Sequence, residues 1–208
     1  FLSQSQLVCS YYGFFLSVIG VFTHLSLICE LSLLFYIFLE ILNVRIILLV
    51  RDPRGTMQSR KHREWCPGNP DCDRPENLCN DLEADYHAAE ELQKKYPSRF
   101  RTLRYEDLSI NPYEMTQEIL QFFGLPFDPM VEQFLDTHTK VNIGGVSSTY
   151  RDSKSAPFHW KQDLMIEEVK NIQNKCTKAM ELWGYRKVDD FHDYQRTFDP
   201  LILPPPFA

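Results

Sequence analysis

The constraint that decides most about this chain is the apolar run Ile46–Val50, which stops abruptly at Arg51-Asp52-Pro53. A continuous Ile/Leu/Val run without alternation is the pattern of a strand buried on both faces of a parallel sheet. Pro53 suits the first turn of a helix that should run to about Arg63. Ser59 falls eight residues after Arg51, inside that helix. A rigid strand that ends on a cation and is followed by a helix hydroxyl is well made for a phosphate monoester. Guanidinium pairs bidentately with phosphate oxygens, and the hydroxyl completes the shell. For Arg51 alone a surface ion pair explains the residue equally well, and for Ser59 alone an ordinary exposed helix serine does.

The rest of the chain alternates in the same way. Leu82, Tyr86, Ala89 and Leu92 recur at helical spacing, and that helix should stop before Pro97. Phe100–Tyr105 reads as a short strand ending at Glu106-Asp107, two carboxylates that suit a turn or cap better than paired acid–base work. Asn111-Pro112-Tyr113-Glu114 is a helix start, with its stop at Gly124; Asp128-Pro129 begins another helix through Leu135. Gly144 to Ser155 is a long polar loop, and Asp163 should cap a last helix that reaches Trp183 and closes at Gly184. Strands alternating with helices give an α/β fold with a parallel sheet.

Composition narrows the function. The 208 residues hold 22 basic and 28 acidic side chains, a net charge of −6, which argues against a general nucleic-acid binder. Three of the six cysteines, Cys66, Cys72 and Cys79, cluster in a Pro/Asn/Asp-rich stretch that looks like a disulfide-tied loop from an oxidising compartment, with Cys176 as a fourth partner. A zinc site is the rival, but there is no C-x-x-C pair and no spaced His pair.

The first 43 residues are unlike the others. They contain no Lys or Arg, and their only acids are Glu30 and Glu40. Tyr11–Cys29 and Leu31–Leu42 are long enough together to span a bilayer, which needs about 20 apolar residues. Glu30 between the runs and the lack of flanking basic residues weigh against that. Residues 1–43 therefore read either as a membrane anchor or as sequence foreign to the fold, and residues 44–208 as one alternating domain.

Val50–Arg60, Arg104-Tyr105-Glu106-Asp107-Leu108 with Asn111-Pro112, Trp160, and Gly184-Tyr185-Arg186 stand in an order and spacing that resembles the carbohydrate sulfotransferases. The branch that sulfates the 6-hydroxyl of galactose, N-acetylgalactosamine or N-acetylglucosamine is the most similar. The resemblance implies a P-loop-kinase-like parallel sheet with flanking helices, and 3′-phosphoadenosine-5′-phosphosulfate as sulfuryl donor without a metal. It implies that Arg51 and Ser59 hold the donor's 3′-phosphate, that Tyr105 contacts adenine, and that Arg151 reaches the donor from the loop 147–161, where Trp160 is a packing anchor. Lys154 is a second cation of that loop. A glycan acceptor, with N-acetylglucosamine favoured, and residence in the Golgi membrane with the domain in the lumen are implied as well.

One element of the resemblance is absent. The family opens its domain with a glycine/serine-rich loop that cradles the 5′-phosphosulfate, and nothing of that kind precedes Ile46. The expectation is a carboxyl-terminal part of a sulfotransferase, truncated on its amino-terminal side, with the catalytic base unassigned and little activity alone. The alternative is a non-catalytic nucleotide binder or membrane-anchored fragment. A P-loop kinase would need G-x-x-x-x-G-K-[ST], which the sequence lacks.

Overall fold

The computed structural model describes residues 44–145 and 148–207, together with the backbone of two short strands nearer the amino end, β1 (Gln6–Tyr11) and β2 (Phe14–Ser17). The apolar runs Tyr11–Cys29 and Leu31–Leu42, expected to be either a membrane anchor or sequence foreign to the fold, lie for the most part outside the described residues. Among the described residues no helix is long and apolar enough to cross a membrane.

The expected strand is β3 (Arg45–Val50), and its side chains are buried on both sides. Ile46, Leu48 and Val50 join the main core, whereas Ile47 packs with Phe122 and Phe123 on the opposite face. Strand β4 (Phe100–Arg104) lies parallel to β3, with Val50 level with Arg104. The sheet has the order β2-β1-β3-β4, and its other two pairings are antiparallel. The parallel sheet expected from the alternation is thus one parallel pair within a mixed sheet.

Proline fixes where several helices begin, because its missing N–H is one that the first turn leaves unbonded anyway. Helix α1 (Pro53–Lys61) starts this way, and Asp52 caps it by accepting the Arg54 N–H at 2.8 Å. After the short α2 (Pro70–Asp73), helix α3 (Pro75–Lys95) buries Leu78, Cys79, Leu82 and Ala89. The cysteine loop is closed by Cys66–Cys72, and Cys79 joins Cys176 within the main core.

The strand after α3 ends one residue earlier than the sequence suggests. Tyr105 opens a one-and-a-half-turn helix, α4 (Tyr105–Ile110), followed by α5 (Pro112–Phe123) and α6 (Pro129–His138). Helix α5 closes on Gly124 at φ 74°, a left-handed conformation that favours glycine. The last helix expected from Asp163 to Trp183 is three pieces: α7 (Trp160–Asp163), α8 (Ile166–Lys175) and α9 (Thr177–Leu182). Asp163 caps none of them. Its carboxylate instead accepts from Gln58 Nε2 of α1 at 2.7 Å, and Leu164 and Met165 are extended. Helix α10 (Tyr194–Thr197) and the tail then cover the core, where Leu201 bridges to Tyr185.

Candidate functional site

The site forms where β3 and β4 end side by side. Parallel strands deliver both carboxyl ends to one edge, so Arg51 and Tyr105 meet although 54 positions separate them. The Arg51 guanidinium lies 4.8 Å from the centre of the Tyr105 ring. Its Nε is buried and has no hydrogen-bond partner. A Cβ on Gly55 would stand 3.2 Å from that Nε and 3.2 Å from the Pro157 carbonyl oxygen. Glycine at this position therefore leaves the room in which the arginine lies.

The other arginines nearby are committed to the fold. Arg54 is fully buried; it pairs with both oxygens of Asp52, at 2.6 Å for the shortest contact, donates to Gln173 Oε1 at 2.9 Å, and lies against the Trp160 ring. Arg104 pairs with Asp107 at 2.6 Å and donates to the carbonyls of Gly184 and Ile202, which ties the end of β4 to the tail. Arg51 alone of these three has no such partners among the described residues, which leaves its guanidinium available to an anion.

Behind Arg51 sits a residue whose role the sequence did not disclose. Glu106 and Asp107 were expected to form a turn or cap; Asp107 instead lies in the first turn of α4 and pairs with Arg104. Glu106 points inward and is 1% exposed. One carboxylate oxygen accepts the Asp52 backbone N–H at 3.0 Å and the other accepts the Tyr185 hydroxyl at 2.9 Å. Burial, aided by the Asp52 charge, pushes the Glu106 carboxyl up to about 7, while the Asp52 amide and Arg51 pull it down. Burial and the neighbouring carboxylates raise the Tyr185 phenol well above its ordinary value, which keeps it a hydrogen-bond donor. The nearest signal in the sequence was the acid next to Tyr105; nothing local revealed its partner at position 185.

The remaining candidates are placed as follows. Ser59 lies in α1, half-buried, two turns beyond Arg51. Trp160 is fully buried, as an anchor should be. Arg151 is held within its own loop, donating to the Tyr150 and Gly145 carbonyls, and the structure does not bring it into contact with Arg51 or Tyr105. The part of that loop that does reach the site is the single turn Ala156–Phe158, whose Pro157 carbonyl faces Gly55. Lys154 is exposed and borders a cleft of about 450 Å³ with Asn111, Tyr113, Lys140 and Asp152, beyond the far end of α4. Among the described residues no group of His, Cys, Asp and Glu is arranged to hold a metal.

A strand-end cation over an aromatic ring, a glycine that makes room for it, and an adjoining loop form an arrangement able to receive an anion at an α/β sheet edge. The sequence pattern of the sulfotransferase domain matches residues 23–184, and the chain belongs to that family. Its relatives are carbohydrate sulfotransferases. It is 28% identical over 165 residues to carbohydrate sulfotransferase 3 of Tetronarce californica, covering 72% of this chain and 37% of that protein. It is 30% identical over 178 residues to carbohydrate sulfotransferase 1 of Mus musculus, covering 77% and 43%. With carbohydrate sulfotransferase 5 of Mus musculus the identity is 28% over 187 residues, covering 78% and 47%. The chain thus spans less than half the length of these relatives. No solved structure matches it.

Proposed function

We propose that this chain carries the 3′-phosphate half of a sulfuryl-donor site in a carbohydrate sulfotransferase, on a sheet of the P-loop-kinase type. The observation that carries the reading is the buried, unpartnered Nε of Arg51 above the Tyr105 ring. A guanidinium in that state is strongly attracted to a phosphate monoester, and a ring beside it offers an apolar face for a base. Arg51 and Ser59 would hold the 3′-phosphate of 3′-phosphoadenosine-5′-phosphosulfate and Tyr105 its adenine. Arg151 would join them if the loop released its guanidinium from the Tyr150 and Gly145 carbonyls. When bound, the donor supplies the sulfuryl group that passes to a sugar hydroxyl.

The acceptor in this reading is a glycan, and the 6-hydroxyl of N-acetylglucosamine is the proposed target. The relatives' names support a carbohydrate, and the finer choice rests on the resemblance of the cysteine loop and tail. Residence in the Golgi lumen is proposed with it, supported by two disulfides that suit an oxidising compartment. Because no glycine/serine-rich phosphosulfate loop precedes Ile46 in the sequence, residues 1–208 are proposed to bind the nucleotide without completing transfer efficiently.

Calorimetry with adenosine 3′,5′-bisphosphate tests the reading. Preference for it over adenosine 5′-monophosphate, lost in Arg51→Ala, is the expected result. Equal affinity for the two nucleotides would remove the 3′-phosphate site. Labelled donor and a GlcNAc-ended acceptor test the second part: transfer at the rate of a full-length relative would show that the chain is complete as a catalyst.

A further inference from the structure

Arg51 can select a phosphate only if its backbone points it in one direction, and the structure shows what sets that direction. The peptide joining Arg51 to Asp52 is a rigid plane, so whatever fixes its N–H also fixes the Cα from which the arginine side chain departs. That N–H belongs to Asp52 and is bound by Glu106 at 3.0 Å. Glu106 is in turn held by the Tyr185 hydroxyl at 2.9 Å. Its neighbour Tyr105 supplies the ring over which the guanidinium lies. The first turn of α4 therefore grips Arg51 at two points, the ring at the side chain and the carboxylate at the backbone.

Resting on the donor-site reading above, we propose that Glu106 is the positioning residue of the phosphate clamp: through the Asp52 amide it aims Arg51, and Tyr185 braces it from behind. An ordinary helix cap does not require this arrangement. The cap of α1 is already made by the Asp52 side chain, which accepts the Arg54 N–H. A carboxylate buried to 1% exposure is costly unless its oxygens are bonded, and both are. An amide would satisfy the same two partners, accepting from Asp52 with its oxygen and donating to Tyr185 with its nitrogen. What an amide cannot reproduce is the charge.

That charge gives the proposal a readout beyond folding. The charged and titratable groups that act on Glu106 are Arg51 and Asp52 from the strand end and Tyr185 after α9, and Tyr185 is in turn flanked by Arg104, which pairs with Asp107. Asp52 is paired with Arg54, and Asp107 with Arg104, which leaves Arg51 to respond to Glu106. Ionised Glu106 competes with a phosphate for the field of Arg51; neutral Glu106 does not. With the carboxyl titrating near neutrality, affinity for a phosphate monoester should fall several-fold from pH 7 to pH 8.5, after the monoester's own ionisation near pH 6 is complete.

The test measures binding of adenosine 3′,5′-bisphosphate and adenosine 5′-monophosphate to the full chain and to Glu106→Ala, Glu106→Gln, Tyr185→Phe and Arg51→Ala, each with its melting curve. Glu106→Ala is expected to lose at least tenfold in bisphosphate affinity with monophosphate affinity held within twofold. Glu106→Gln should stay within threefold of the parent at pH 7 and lose the decline above it. Tyr185→Phe should fall between them. If Glu106→Ala does not fold, the Gln and Phe variants decide: an unaltered decline in Glu106→Gln, or full affinity in Tyr185→Phe, overturns the proposal. So does a Glu106→Ala variant that binds as the parent does. Arg51→Ala separates the two levels: if it leaves the bisphosphate preference intact, the donor-site reading itself is wrong; if it abolishes the preference while the Glu106 and Tyr185 variants change nothing, only the positioning role is wrong.

Discussion

The Arg54 guanidinium lies 4.1 Å from the centre of the Trp160 ring and closes a 2.6 Å ion pair with Asp52 behind it. Two separate motifs, R-D-P-R after β3 and the tryptophan of the later loop, are in this way one packed unit. The loop that borders the site is thereby anchored to the strand end that carries Arg51. Phe198 adds a second ring, 5.7 Å from the same guanidinium.

Breaking that unit should be severe. Arg54→Met leaves the Asp52 carboxylate buried without its cation, and a cost of about 3–5 kcal/mol is expected. Urea denaturation measures it. The double change Asp52→Asn with Arg54→Met should recover part of the loss, because it removes the stranded charge as well.

Gly55 tests the room around Arg51. Alanine is favoured over glycine inside a helix by about 1 kcal/mol, yet its Cβ would meet Arg51 Nε and the Pro157 oxygen at 3.2 Å. The two effects oppose each other in stability, so Gly55→Ala is expected to melt within a few degrees of the parent. In binding nothing offsets the displacement of Arg51. Calorimetry should show bisphosphate affinity reduced several-fold.

Stability should also depend on pH through Glu106. Its carboxyl lies at about 7 in the folded chain, against an ordinary 4.5. The folded state therefore holds this proton more tightly than the unfolded chain does. The contribution is fully present below pH 4.5 and is lost as pH rises through 7, amounting to roughly 3 kcal/mol in all. Glu106→Gln has no such proton. Denaturation of both proteins across pH 5–8 should show the difference between them shifting with pH in favour of the variant.

The disulfides should differ in weight. Cys79–Cys176 spans a sequence separation of 97 and Cys66–Cys72 one of 6, and the entropy removed from the unfolded chain grows with the loop closed. Replacing Cys79 and Cys176 with serine is expected to cost about 3–5 kcal/mol, and replacing Cys66 and Cys72 distinctly less. Thermal denaturation of the two double variants makes the comparison.

The sequence was most legible where one residue dictates one geometry. Pro53, Pro112 and Pro129 begin their helices, Gly124 and Gly184 adopt positive φ where their helices stop, and Ile46–Val50 is buried on both faces. Cys176 as a fourth partner in the cysteine framework was legible too, by elimination of an odd count, although its mate was not. Arg51 was legible as a cation at a strand end, whereas Tyr105 came only from the family resemblance, and their contact from the parallel pairing of β3 with β4. What failed depended on distant partners. Asp163 looks like a cap until Gln58, 105 positions away, takes its carboxylate. Glu106 looks like a turn residue until Tyr185 and the Asp52 amide draw it inward. Arg151 looks free until its own loop folds carbonyls around it.

Cys79–Cys176 also has a topological meaning. It closes a covalent ring that contains Tyr105, Glu106 and Arg151 but excludes Arg51, so the site is assembled across the boundary of that ring. A protease cutting once after the exposed Lys154 would sever the backbone inside the ring and leave the two pieces joined through sulfur. Such a nicked molecule would run as one chain until reduced, with the piece that carries Arg51 and Tyr105 still tethered through sulfur to the rest.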